Sequence, residues 1–194
     1  MAAVPLPAAE PVSASATHLT VAAGSRLWLE GDSTLHKYSS TASQVEVAAE
    51  IGGATTGTPA DLRGTIAGGG LTALRIEVPV ASLKSGESGL DKNLQKALKA
   101  ETAPVIRFRL TGYTATDAKD GALRIEARGR LSIAGVEKDD AVEATCRFTA
   151  SGVEVTGMKE LKMSDFGVKP PTLFLGTVKT ADKVVVRFSL NLKT

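Results

Sequence analysis

One cysteine, Cys146, and two histidines, His18 and His36, are all that 194 residues offer as soft or borderline metal ligands. A lone cysteine closes no intramolecular disulfide, and so few donors exclude a multi-cysteine zinc or iron–sulfur centre. Aromatic residues are scarce at 4% of the chain, so any core must be largely aliphatic. An excess of one charge is missing too: 23 Lys and Arg against 21 Asp and Glu leave a formal net charge of +2. That balance gives no footprint for nucleic acid or for an anionic membrane surface. No run of apolar residues reaches the length of about eighteen that reads as a membrane span. No metal, cofactor or nucleic-acid partner is therefore expected. The length fits one domain, whose core can stand without staples.

The first seventeen residues, MAAVPLPAAEPVSASAT, are rich in Ala and Pro and carry one charge, Glu10. They lack the basic start and unbroken apolar run of a signal peptide. Pro5, Pro7 and Pro11 oppose both helix and strand. Residues 1–17 are read as a flexible leader and residues 18–194 as a single β-barrel domain.

From about residue 26 the chain alternates with period 2. Val45, Val47 and Ala49 form one such row, Leu74, Ile76 and Val78 a second, and Ile106, Phe108 and Leu110 a third. Longer rows run from Leu123 to Ile133, from Val142 to Phe148 and from Val184 to Leu192, with Arg and Glu frequent at the intervening positions. Alternation of this kind marks strands with one wet and one buried face, as in antiparallel sheets. Gly52-Gly53, Gly68-Gly69-Gly70, Asp120-Gly121, Gly135 and Ser151-Gly152 supply the turns. With a first strand near 26–30 and short ones near 62–66 and 153–163, the count is about eight or nine. The absence of a βαβ rhythm leaves a closed barrel or a sandwich. The long strand 122–133, with Gly129 placed for a bend, favours an all-β antiparallel barrel of about eight strands.

One segment differs. SGLDKNLQKALKAETAP, residues 88–104, reads as a short helix: Leu90, Leu94 and Leu98 recur every four residues, with Ala97 beside them. Ser88 with Asp91 three residues on has the form of a capping box, and Pro104 ends the segment. The leucine stripe needs a partner, and the barrel mouth or flank is the surface available to it.

The clear inward rows carry no charge. They suit a core packed solid and an apolar ligand cavity alike, because an eight-stranded barrel is wide enough for either. Around Pro170-Pro171, the residues Met163, Phe166, Val168, Leu173, Phe174 and Leu175 form an apolar cluster that covers a barrel end or lines its entrance. Asp165-Phe166-Gly167 matches the DFG of protein kinases, but no glycine loop, HRD or lysine strand accompanies it. GDSTLHKY, residues 31–38, holds the residue types of a hydrolytic triad in Asp32, Ser33 and His36. Triads are assembled across a fold rather than along one loop, and no G-x-S-x-G is present. A bend with local hydrogen bonds is the simpler reading, flanked by Trp28 and Tyr38, and no catalytic residue is assigned.

Several stretches, in order, resemble the YceI-like, polyisoprenoid-binding family. Val80 with Ser82–Gly86 resembles its "V-x-x-x-S-I-x-T" strand end, and Asp91 with Leu94 the opening of its helical insert. Pro104-Val105-Ile106-Arg107-Phe108 resembles "P-x-I-x-F", and Leu131 to Lys138 resembles "L-T-I-x-G-V-T-K". Asp165-Phe166-Gly167 is similar to "R-x-D-F-G", and Asp182-Lys183-Val184 to the closing "D-x-V". Arg26-Leu27-Trp28-Leu29-Glu30 differs from the family's usual "H-S-x-V-x-F", and Asp91-Lys92-Asn93 stands where Arg-Asp-x-His is common.

The resemblance implies a lipocalin-like barrel, periplasmic or secreted, that binds a long apolar molecule without catalysis. The expected partner is a polyisoprenoid, an isoprenoid quinone or a fatty-acid derivative; the oligomeric state stays open, a homodimer included. Expected lining residues are Ile106, Phe108, Leu110, Ile125, Phe148, Val186 and Phe188 in the lumen, and Leu94, Leu98, Phe166 and Phe174 at the mouth. Two rivals remain: a packed barrel serving as a structural or protein-interaction module, and an esterase-like hydrolase using Ser33 and His36.

Overall fold

The computed structural model describes residues 16–53, 57–170, 172–173 and 178–194. Their strands are β1 (Thr17–Val21), β2 (Arg26–Ser33), β3 (Tyr38–Ala42), β4 (Glu46–Ile51), β5 (Leu71–Pro79), β6 (Leu83–Lys84), β7 (Val105–Asp117), β8 (Leu123–Ile133), β9 (Val136–Thr149), β10 (Gly152–Lys162), β11 (Thr172–Leu173) and β12 (Val178–Lys193). Two helices interrupt them, α1 (Pro59–Ala67) and α2 (Ser88–Ala97). Eight strands follow one another as β1-β4-β5-β7-β8-β9-β10-β12, and the ring closes where Thr20 and Val21 of β1 pair with Lys193 and Leu192 of β12. Every pairing is antiparallel, so the barrel is the lipocalin-like one the alternation and the resemblance imply. Because β12 runs from Val178 to Lys193, it has length to spare for a second neighbour. Upstream of the β1 contact it pairs with β2, from Ser33↔Thr180 to Arg26↔Ser189, and β3 and β6 extend that flap.

Four elements depart from the expectation. Residues 62–66, expected as a short strand, belong to α1. The Thr58 hydroxyl accepts from the Asp61 amide at 3.3 Å, Pro59 takes a first-turn position, and the Gly68 amide closes the far end on the Gly64 carbonyl. Leu62 and Ile66, four apart, are both buried, so α1 seats one face in the barrel. Tyr113 secures it by donating from its hydroxyl to the Ile66 carbonyl at 2.7 Å. α2 is shorter than the expected 88–104 and begins after Glu87, with no side chain capping it. Asp91 does not close a capping box with Ser88. Its carboxylate reaches upstream, taking hydrogen bonds from the Ser85 amide and hydroxyl, each at 2.7 Å. β1 and β3 were not anticipated, and β1 starts at Thr17, the last residue of the expected leader. Residues 1–15 lie outside the described residues.

A second carboxylate plays the same part at the other turn of the motif series. Asp182 accepts from the Ser164 amide at 2.8 Å and the Ser164 hydroxyl at 2.6 Å, fixing the turn Met163–Phe166 onto β12. The Ser85 and Ser164 hydrogen bonds hold the carboxyls of Asp91 and Asp182 below the usual range. A depressed folded-state pKa means that the unfolded chain binds more protons, so the stabilisation is complete above the ordinary Asp value of about 4 and is lost as pH falls below it. Denaturation midpoints measured across about pH 5 to 2 should therefore drop steadily, and Asp91→Asn with Asp182→Asn should flatten that slope. An unchanged acid limb in the double variant would assign the loss to other groups.

Candidate functional site

The inward rows of the barrel do not meet. They enclose a cavity of about 230 Å³, lined by residues of β1, β4, β5, β7, β8, β9, β10 and β12 together with Leu27 and Leu29 of β2, Leu83 of β6 and Ile66 of α1. The lining is aliphatic and aromatic but for Cys146 and Lys159. Cys146 is buried, and loss of hydration pushes its thiol up to about 12, which keeps it protonated and unreactive near neutrality.

Two aromatic rings shape the wall. Phe108 of β7 lies over Gly129 of β8: a Cβ at Gly129 would stand 2.7 Å from the Phe108 ring and 2.3 Å from the Arg109 carbonyl oxygen. Phe188 of β12 covers Gly157 of β10 in the same manner, with a Cβ there 2.5 Å from the ring. Each glycine gives up its side chain so that a ring from the neighbouring strand can lie flat on the wall.

Of the residues expected in the lumen, Ile106, Phe108, Ile125, Val186 and Phe188 line the cavity. Leu110 and Phe148 do not; both are half-buried and pack against the core. Leu110 precedes a bulge, where β7 slips against β8 between Leu110↔Gly129 and Gly112↔Arg128. The slip reverses which residues face inward, so that Tyr113 and Ala115 take over the core side. Of the residues expected at the mouth, Leu98 and Phe166 are in the buried core, at 8% and 3% exposure, and Leu94 packs half-buried against it. None of the three lines the cavity. Phe174 lies outside the described residues.

The sequence reading put Ala127 and Ala144 on inward rows without naming them as lining, and it missed Lys159 and the β1 and β2 rows; all of these face the cavity. Lys159 was legible by parity: in GVEVTGMKELK, Val153, Val155, Gly157, Lys159 and Leu161 share one face. Its ammonium donates to Asp140 Oδ1 at 2.5 Å and to the Ala141 carbonyl at 2.8 Å.

The loop GDSTLHKY is organised around Ser33. Its hydroxyl donates to the His36 carbonyl at 2.7 Å and accepts from the amides of Leu35 and His36, while the Asp32 carboxylate takes the Ser33 amide. The hydroxyl is thus engaged with backbone, not with the imidazole, which is exposed. Thr34 joins the loop to β12 by accepting from the Lys179 amide at 3.1 Å.

No helix among the described residues is long and apolar enough to cross a membrane. A family model described as the YceI-like domain matches residues 14–192. Among solved structures, BcnA of Burkholderia cenocepacia superposes with a TM-score of 0.68 at 18% identity, covering 90% of this chain and 99% of that one. A polyisoprenoid binding domain from Saccharophagus degradans gives 0.64 at 13% identity, over 91% and 98% of the two chains. The YCEI protein of Campylobacter jejuni gives 0.58 at 19% identity, over 80% and 84%. At such identities the likeness is one of fold. No curated protein matches the chain.

Proposed function

This chain belongs to the YceI-like domain family, and on that premise we propose that it binds and carries, or sequesters, one long apolar molecule in its lumen. The observation that carries this reading is the 230 Å³ cavity with an aliphatic and aromatic lining. At the ~30 Å³ that one water-sized group occupies in a packed liquid, this is room on the order of eight methylene-sized groups. The volume lies just below the ~300–1,000 Å³ usual for ligand sites, which suits a slender chain better than a bulky ring system. Each methylene withdrawn from water contributes about 0.8 kcal/mol, so eight of them supply roughly 6 kcal/mol, between the millimolar and micromolar ranges before the loss of freedom on confinement. The name of the Saccharophagus degradans domain supports a polyisoprenoid as the cargo; an isoprenoid quinone or a fatty-acid derivative has the same slender, apolar form. The role is non-enzymatic, and the engagement of Ser33 with backbone supports that reading. Location in the periplasm or outside the cell is part of the same proposal, resting on the family.

Native mass spectrometry of the purified protein, followed by solvent extraction, tests it. A discrete adduct with an isoprenoid or acyl mass is expected. Protein that stays bare after incubation with long-chain isoprenoids and fatty acids would overturn the reading in favour of a packed interaction module.

A further inference from the structure

The barrel wall is not hydrogen-bonded along its whole height. β9 and β10 pair from Thr149↔Gly152 to Glu143↔Met158 and then part. Beyond that rung β9 remains in register with β8 as far as Ile133↔Val136, and β10 with β12 as far as Lys162↔Lys183. Residues 136–142 and 159–162 therefore face one another with no ladder between them. The seam holds a hollow of about 380 Å³, lined by Lys138–Asp140 and Lys159–Lys162 with Asp165, Phe166 and Lys183. Lys159 and Leu161 line both this hollow and the apolar lumen, so the two spaces share one wall residue by residue.

Among the described residues lining the lumen, Lys159 is the one that carries charge. Asp140 stands opposite Gly129 and Lys159 opposite Val186, both on lumen-facing rows. Their side chains are 22% and 25% exposed, respectively, so the pair is largely withdrawn from water. An ammonium has three N–H donors, and Lys159 uses two of them, on Asp140 and the Ala141 carbonyl. These bonds hold it in place and leave one donor at the junction of the two cavities. Glu160 pairs within the seam with Lys183 at 2.6 Å, and Asp139 with Arg130 at 3.6 Å on the outer face. Lys138 lies over the Phe166 ring at 5.8 Å.

We propose that the β9–β10 seam is a head-group subsite, in which Lys159 donates its third N–H to an oxygen acceptor at the end of a chain lodged in the lumen. The ligand class is a long apolar chain ending in a carboxylate or a carbonyl. The proposal rests on the lumen reading above and adds the polar end of the ligand to it.

The test uses N-phenyl-1-naphthylamine, an apolar fluorophore with no oxygen acceptor, as a lumen reporter, and displaces it with dodecanoate and with dodecanamide. In Lys159→Met the reporter's own affinity is measured first, and relative to it both displacing ligands should weaken by about tenfold or more, the scale of a lost charge-assisted hydrogen bond. Lys159→Arg should recover most of the loss. Weakening of dodecanoate alone would identify an anionic head group; weakening of both would identify any carbonyl oxygen. If Lys159→Met loses its cooperative melt, Asp140→Asn with Lys159→Met removes the stranded carboxylate and carries the same comparison. Equal displacement from parent and variant, with reporter binding intact, would overturn the subsite and leave the lumen standing. No binding of reporter or acid to the parent would overturn both.

Discussion

Ala127→Phe with Ala144→Phe should abolish lipid uptake while leaving the barrel folded. Both alanines face the cavity from neighbouring strands. Ala127 pairs with Val142 and Ala144 with Ile125, so the two Cβ atoms are diagonal neighbours on the β8–β9 wall. Two rings pointing into a space of about 230 Å³ leave no continuous channel for a chain. Affinity for dodecanoate or a fifteen-carbon isoprenoid, read by displacement of the fluorophore, should fall by at least a hundredfold, or about 2.8 kcal/mol. Because the new rings enter space that is already empty, they gain burial without evicting neighbours, and the melting temperature should move by only a few degrees. Overpacking is the competing effect, so Ala127→Leu is the graded companion and should weaken binding by a smaller factor. A well-folded double variant that binds as tightly as the parent would place the ligand somewhere other than the lumen.

The largest stability effect belongs to Gly129→Val. The Cβ at this position would lie 2.3 Å from the Arg109 carbonyl oxygen, a backbone atom in the adjoining strand, as well as 2.7 Å from the Phe108 ring. A ring end can swing aside, but a carbonyl in a hydrogen-bonded ladder moves only if β7 moves with it. Adding the two valine methyl groups extends the clash into the lumen wall. The expected cost is about 3 kcal/mol or more, which for a domain of this size is a fall in Tm of roughly 6–12 °C. Gly89→Ala is the control: it lies in α2 with nothing within 4 Å of the added Cβ, and it should be neutral or slightly stabilising. If Gly129→Val melted with the parent, the flat seating of Phe108 against β8 would be wrong.

Both outcomes turn on residues whose inward direction is written locally. The period-2 rows of β7, β8, β9 and β12 state which side chains face the core without reference to any partner strand, and Ile106, Phe108, Ile125, Val186 and Phe188 follow from them. Rows that lack contrast were not legible. β3, YSSTA, buries Ser40 at 4% exposure and Ala42 at 9%, neither large nor apolar enough to announce a strand. The helix at 59–67 was obscured because only Leu62 and Ile66 are buried, and their spacing of four satisfies a strand's even parity as well as a helix's turn. There the Thr58 cap was the deciding signal. The role of Asp91 was misjudged for a related reason: a capping box and an upstream Ser85 clasp need the same residue types within a few positions.

Alternation, turn glycines and the short supply of aromatics, cysteine and surplus charge determined by themselves an antiparallel β protein with an aliphatic interior, since these are properties of each segment alone. Only the tertiary structure decided that the ring closes through a two-residue contact between β1 and β12, that the interior stays open and that β9 parts from β10 beyond Glu143. The bulge after Leu110 and the pairing of Lys159 with Asp140, nineteen residues away, belong with them. Such features depend on how far one strand outruns another and on what volume the inward side chains leave unfilled, sums taken over the whole barrel that no single row of residues contains.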